Sequence, residues 1–228
     1  MRRQLITPII ALAALTLAAC GSSNEHARFT TKIDNEWLPL RPGTTLVYEG
    51  TKDGKRQRDV FTVTHRTKTL GGAPCVVVDD RVYSGGHLGE RTTDYYSQDS
   101  KGNVWYFGED TAELDARGRV TSTEGTWHTG VNGARAGLFM PAHPRVGEQH
   151  RQEYLRGHAE DQFRVVSLAA HIKVPAGDYG AALETNEWTK LEPDVLDAKY
   201  YVRGVGEVFE GSLKGPREVF RLVSVKRP

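Results

Sequence analysis

Cysteine is almost missing from this chain: Cys20 and Cys75 are the only two in 228 residues. That excludes a disulfide-stapled scaffold, in which small domains replace a core by several cross-links. Charge of one sign is missing too, with 30 Lys plus Arg against 29 Asp plus Glu. No basic excess argues for nucleic acid, and there is no acidic tail. Apolar runs long enough to span a bilayer, about 20 residues, are absent. So are a Gly-x-Ser-x-Gly nucleophile elbow, a Ser-x-x-Lys pair, a phosphate-binding Gly-x-x-x-x-Gly-Lys loop and a His-Glu-x-x-His metal motif.

What is present begins at the amino terminus. Arg2 and Arg3 precede an apolar stretch from Leu5 to Leu17, interrupted only by Thr7, Pro8 and Thr16, and Leu17-Ala18-Ala19-Cys20 follows. This is the basic, apolar and small-residue order of an export signal. Cysteine at the cleavage point makes it a lipobox, with residues 1–19 removed and Cys20 acylated. Several acyl chains on that cysteine would suffice for stable anchoring, where one alone would not. Residues 20–30 read as a small, polar tether, and 31–228 as one domain. The expected place is the bacterial envelope, on the extracytoplasmic side of a membrane. Gly21 is not the Asp that resembles an inner-membrane retention signal, which matters only in a cell with two membranes.

Removal of the leader takes Arg2 and Arg3 and no acidic residue, so the mature chain is close to neutral. Nine Tyr, four Trp and seven Phe supply apolar surface despite a mean hydropathy of −0.50. Cys75 then has no partner. It lies in the apolar run Ala73–Val78 without a neighbouring cation, which reads as a small buried hydrophobe rather than a nucleophile.

Period-two alternation dominates from Thr44 onward. About ten short strands separated by Gly, Asp and Pro turns predict an all-β antiparallel meander curling into a barrel, half-barrel or sandwich. In the run 57–66, Phe61, Val63 and His65 share a face. Only Thr111–Ala116 and Pro193–Ala198 read as briefly helical. Asp94-Tyr95-Tyr96 leading to Gly102-Asn103-Val104-Trp105 is echoed by Lys199-Tyr200-Tyr201 leading to Gly206-Glu207-Val208-Phe209. The echo suggests two duplicated units, although aromatic hairpins also resemble one another without common ancestry. Gly130–Gly147 is the longest stretch without periodicity, and such loops are usually functional or disordered. Leu138, Phe139 and Met140 within it form an apolar patch, read as a plug over one end of the sheet or as the lip of a ligand cavity.

Ile33-Asp34-Asn35-x-Trp37-x-Pro39-Leu40-Arg41-Pro42-Gly43-Thr44 resembles the opening of a group of uncharacterised bacterial secreted proteins and lipoproteins. The segments Asp94–Tyr96, Gly102–Glu109, Met140–Gly147 and Tyr200–Gly206 carry the same resemblance, which covers most of the mature chain. It implies a β-rich exported protein and brings no activity or residue roles. A more distant architectural likeness is to half-barrel lipid carriers of bacterial envelopes, and fold likeness alone does not determine function.

Three constellations bear on chemistry. His143, Glu148, His150 and His158 fall close together, but a chain with eight histidines yields one such cluster by chance, and no metal or other cofactor is expected. Asp99–Asn103 reads as a hairpin turn rather than a calcium loop. Asp80 alternates with Val76, Val78 and Val82, and Glu184 stands between Ala182 and Trp188. A carboxylate on an apolar face has a raised pKa, as a general acid requires, so these two are the acid/base candidates. The alternative for Asp80 is a bulge or a salt bridge to Arg81 or Arg91 that keeps it at the surface. The function expected is binding of an apolar or amphipathic, lipid-like ligand within the curved sheet, at Leu138, Phe139 and Met140, without catalysis. The alternatives are a partner-binding envelope module presenting Trp37, Trp127 or Trp188, and a hydrolase using a carboxylate pair.

Overall fold

The computed structural model describes residues 29–228. The leader, Cys20 and the tether up to Arg28 lie outside the described residues. Phe29 and Thr30, assigned to the tether from sequence, already belong to the fold. Thr30 bridges Gln98, and the Phe29 ring meets Phe107 at 5.0 Å.

The described residues contain fifteen strands and no helix. Five long strands come first: β1 (Thr45–Lys52), β2 (Lys55–Leu70), β3 (Ala73–Ser84), β4 (His87–Gln98) and β5 (Val104–Leu114). Five short ones follow: β6 (Val120–Ser122), β7 (Trp127–His128), β8 (Arg135–Met140), β9 (Gln149–Arg151) and β10 (Glu153–Tyr154). Five more complete the chain: β11 (Gln162–Val174), β12 (Gly177–Trp188), β13 (Leu196–Val202), β14 (Gly206–Lys214) and β15 (Glu218–Lys226). All pair antiparallel in one curved sheet of order β10-β8-β5-β4-β3-β2-β1-β15-β14-β13-β12-β11-β9, with β6 and β7 added to β5. The meander expected from alternation is therefore an open half-barrel, longer in strand count than the sequence indicated.

The two sheet edges are consecutive in the chain. β9 pairs with β11 and β10 with β8, and a single residue, Gln152, separates them. The hydrogen-bond ladder does not close, but this segment draws its ends together. Gly137 on β8 permits the approach, since a Cβ there would stand 2.3 Å from the Gln152 carbonyl carbon.

The main core fills the hollow of the sheet. Val63, Val76, Val78, Tyr96 and Tyr106 from the first half meet Phe163, Val165, Leu183 and Tyr201 from the second. Ile33, Trp37, Leu38 and Leu40 enter between them. Asn35 rivets this amino-terminal segment in place. Its amide nitrogen donates to the carbonyls of Gly102 (2.9 Å) and Pro141 (3.1 Å), and its side-chain oxygen accepts from the Trp37 and Leu38 amides. The plug of the sheet is thus residues 33–40, not the 138–140 patch.

Several expectations are corrected. Leu138–Met140 are not a loop patch but the end of β8, where a strand alternates its side chains between faces. Leu138 opposes Trp105, Met140 opposes Val104, and Phe139 is the extra residue of the bulge between them. Met140 is core, Phe139 packs on the core, and Leu138 turns to the other face. Thr111–Leu114 are strand residues paired with β4 and β6, and 193–198 are a turn entering β13, because cross-strand pairing outweighs weak helical propensity. A register shift after Val63 turns His65 outward, so it does not share the face of Phe61. Trp37 and Trp127 are buried and present no partner surface. Cys75 is buried on the opposite face of β3 with Val77, and burial pushes its thiol up to about 12.

Candidate functional site

Alternation along β2 to β5 places at least one carboxylate per strand on the concave face. Phe61 lies opposite Asp80, so Asp59, two residues before Phe61, is the diagonal neighbour of Asp80. Asp80 lies opposite Thr92, which makes Asp94 its diagonal neighbour on the other side, and Asp94 lies directly opposite Glu109. Diagonal and direct cross-strand neighbours are within reach of one another. Asp59, Asp80, Asp94 and Glu109 therefore form one acidic stripe across four strands.

The second half of the sheet faces this stripe with a different arrangement. Lys199 on β13 lies opposite Glu210 on β14. Its ammonium stands 3.5 Å from Glu187, 3.5 Å from Glu210 and 3.9 Å from Glu207. Glu187 is held further by Thr185 (3.0 Å), Gln152 (3.2 Å) and the hydroxyl of Tyr201 (3.3 Å), all donating to its oxygens.

Curvature brings the two sets around one cavity of about 140 Å³. Its polar wall is Asp59, Asp80, Asp94, Glu207, Glu210 and Lys199, and its apolar wall is Leu38, Leu46, Tyr48, Phe61, Tyr96 and Phe139. Tyr48, Asp59, Asp80, Glu207 and Glu210 also line a wider groove of about 440 Å³, whose rim adds Glu90, Glu113, Glu218 and Lys52. Lys52 pairs with Glu218 at 3.1 Å.

Burial governs the titration of this wall. It pushes Asp59 up to about 6 and Asp80 well above the carboxylate range, with the neighbouring Asp59 charge adding to the effect at Asp80. Burial and then the Asp80 charge push Asp94 up to about 8, although the Tyr106 hydroxyl, donating at 2.6 Å, opposes the shift. Glu207 rises to about 8 by burial, with Lys199 pulling the other way. At Lys199 burial favours the neutral amine, but Glu210, Glu187 and Glu207 outweigh it and hold the ammonium charged. One oxygen each of Asp59 and Asp80 is buried without a hydrogen-bond partner. A proton on Asp80 lets the two carboxyls hydrogen-bond each other; only when both are ionised does the wall lack a donor, an unpaired buried polar atom costing about 1–3 kcal/mol.

Of the two acid/base residues expected from sequence, the structure brings only Asp80 into this cavity. Glu184 points to the opposite face of β12 from Leu183 and Thr185, where its carboxylate meets the Tyr200 hydroxyl. The tyrosine-pair echo nevertheless has a structural counterpart. A register shift falls between Tyr95 and Tyr96 in one half and between Tyr200 and Tyr201 in the other. Asp94 opposes Val78 and Lys199 opposes Thr185; two residues further along those strands stand Asp80 and Glu187. Glu187, not Glu184, occupies the place equivalent to Asp80. Sequence reasoning missed Asp59, Asp94 and Glu187, although Asp59 precedes Phe61, and Asp94 precedes Tyr96, by the same two-residue step that singled out Asp80.

Of the three apolar residues expected at a ligand site, only Phe139 lines the cavity. His143 and His158 are exposed, and His150 stands 3.6 Å from Glu148. Among the described residues no three His, Cys, Asp or Glu side chains converge as a metal site. Asp99 is a turn residue. It accepts from the Lys101 and Asn103 amides, the Asn103 side chain and the Trp105 indole, and these donors outweigh burial and hold its carboxyl below the usual range.

No family model matches the chain, and no curated protein matches it. Two solved structures are similar. One, provisionally described as an exported protein with a YmcC-like fold from Bacteroides fragilis, is 15% identical with a TM-score of 0.49, over 85% of this chain and 100% of the other. The second, provisionally described as a lipoprotein from Parabacteroides distasonis, is 11% identical with a TM-score of 0.45, over 84% of this chain and 99% of the other. Neither likeness is close enough to bring a function with it.

Proposed function

We propose that this is an exported, lipid-tethered binding module that holds an organic cation in the acid–aromatic cavity of its concave face. The ligand is an amine or quaternary ammonium group, free or as the head of an amphipathic molecule. One observation carries the reading: five carboxyl groups and a single lysine line one small cavity, and two of the carboxyls have a buried oxygen with no donor when both are ionised. A cation would satisfy the charge, a protonated amine would also donate to those oxygens, and the aromatic rings beside them favour an ammonium group. A space of about 140 Å³ with this wall suits a head group rather than a hydrocarbon chain. Charge, not the apolar burial expected from sequence, is the basis of recognition. Export and the tether rest on Leu17-Ala18-Ala19-Cys20.

Because the cation binds the ionised wall, it displaces protons, and affinity rises with pH. Calorimetric titration with tetramethylammonium and with putrescine, at about pH 6 and about pH 8.5, tests this. Expected are binding with proton release, tighter at the higher pH, and its loss in Asp80→Asn. No heat and no thermal stabilisation with either compound at either pH would sink the reading, as would undiminished binding by Asp80→Asn.

A second reading has its own observation. Asp59 and Asp80 are adjacent carboxyls whose pKa values are displaced to different degrees, the condition for one to act as acid while the other acts as base. A hydrolase of this kind would lose turnover in both Asp59→Asn and Asp80→Asn with the fold intact. Retained turnover in either variant removes it.

A further inference from the structure

We propose that the pocket at the sheet seam, beside Phe29, seats the phosphate headgroup of an anionic membrane lipid and so docks the protein against the bilayer that carries its tether. The pocket has a volume of about 350 Å³, and its wall includes Trp105, Leu138, Tyr154, Arg135, His150 and Arg151. It lies on the side of the sheet away from the acidic cavity and is independent of the cation reading.

Its positive groups are poorly supplied with anions. Arg135 has no carboxylate within ion-pair distance among the described residues. Arg151 Nη1 is buried without a hydrogen-bond partner, its nearest carboxylate being Glu160 at 3.6 Å. The guanidinium groups of Arg135 and Arg151 stack on the Tyr154 ring at 4.4 and 4.8 Å, which orders both at the pocket wall. An exposed arginine without an anion beside a buried, unpartnered guanidinium N–H calls for an anion from outside, and guanidinium groups match phosphate.

Position selects the source of that phosphate. The Phe29 ring packs 6.3 Å from Trp105, and Ala136 of the pocket wall belongs to the same small apolar cluster. This choice rests on the lipid tether proposed above. The chain between Cys20 and Phe29 can extend to roughly 30 Å at most, so an acylated Cys20 keeps this pocket close to lipid headgroups. Trp105 and Tyr154, amphipathic aromatics, together with Leu138 suit the boundary between headgroup and acyl chain.

The test uses the mature chain, residues 20–228 with Cys20→Ser, so that no acyl chain can bind in its place. Co-sedimentation is measured with vesicles of phosphatidylcholine alone and of phosphatidylcholine mixed with phosphatidylglycerol. Binding to the mixed vesicles only is expected. It should weaken at least about tenfold in the combined Arg135→Gln, Arg151→Gln variant, since each arginine near an anionic surface is worth roughly fivefold. The combined Arg58→Gln, Arg221→Gln variant, altered elsewhere on the same face, should bind as the parent does. Equal binding to both vesicle types, or equal loss in the two variants, overturns the proposal. Glycerol phosphate binding in solution as tightly as the vesicles would assign the pocket to a soluble ligand and also overturns it. Should the first variant fold poorly, quenching by brominated phosphatidylglycerol that disappears in Trp105→Phe supports the proposal, and unquenched Trp105 refutes it.

Discussion

On β2, β3 and β4 the concave face carries Asp59, Asp80 and Asp94, whereas positions of the opposite parity on the same strands carry Arg58, Arg81 and Arg91. The two faces differ less in how many acids they hold than in how those acids are satisfied. On the convex face Asp79 meets Arg66 at 2.6 Å and Arg81 at 3.0 Å. Asp110 there accepts from the Tyr95 hydroxyl at 2.5 Å and stands 2.9 Å from His128 and 3.3 Å from Lys68. These partners outweigh burial and hold Asp110 below the usual carboxylate range. On the concave face five carboxyls of the cavity have Lys199 alone. A surface with its charges paired contributes modestly to stability; an interior with a surplus of one sign costs stability and is retained where a ligand or a proton completes it. The comparison is why the concave cavity, rather than any wider groove outside, is the candidate site.

Removing the cation that lines the cavity should break the balance most. Lys199→Met leaves Glu187, Glu207 and Glu210 without a counter-charge, and a buried pair deprived of one member loses about 3–5 kcal/mol. Chemical denaturation at about pH 8 should show that loss, and at about pH 5 a smaller one, because the carboxyls can then be protonated.

A change of pH should act next in size. Asp59, Asp80, Asp94 and Glu207 titrate higher in the folded protein than in the unfolded chain, by burial first. Between about pH 4 and about pH 8 the native state therefore binds more protons, and stability is full at the acidic end and falls as pH rises through that window. The melting temperature should drop from about pH 5 to about pH 8.5, Asp80→Asn should flatten the profile, and an organic cation should restore the loss at the alkaline end. A profile that rises over this range contradicts the account of the concave wall.

The smallest effect belongs to the outer face. Arg58→Gln removes an exposed charge that has no ion pair among the described residues. Its stability should stay within about 0.5 kcal/mol of the parent at any pH. A larger change would mean that the convex charges, too, are part of a balanced network.

Much of this was legible along the chain because a strand repeats every two residues. Alternation identified the all-β meander, put Asp80 on an apolar face and found the tyrosine-pair echo. The same step from Phe61 and Tyr96 leads to Asp59 and Asp94. It failed where pairing inserts a residue: the bulge at Phe139 hid β8 inside an apparent loop, and the shift after Val63 sent His65 outward. It failed again at Glu184, since comparing two halves by residue type misses the register that makes Glu187 the counterpart of Asp80.

What the sequence by itself determined is what depends on neighbours along the chain: strands that alternate, turns at Gly and Asp, and a Cys75 without reactive surroundings. What only the tertiary structure decided is what depends on neighbours across it. Near-equal numbers of acids and bases read as a neutral protein, and composition cannot say on which face each charge falls. The curvature of one open sheet set Asp59, Asp80 and Asp94 of the first half against Lys199, Glu207 and Glu210 of the second. Residues 33–40 were drawn into the hollow as its plug, and Gln149–Tyr154 brought the two edges together. The physical reason is that strand pairing and sheet bending are set by contacts between residues far apart in sequence, and the site is made only where those contacts meet.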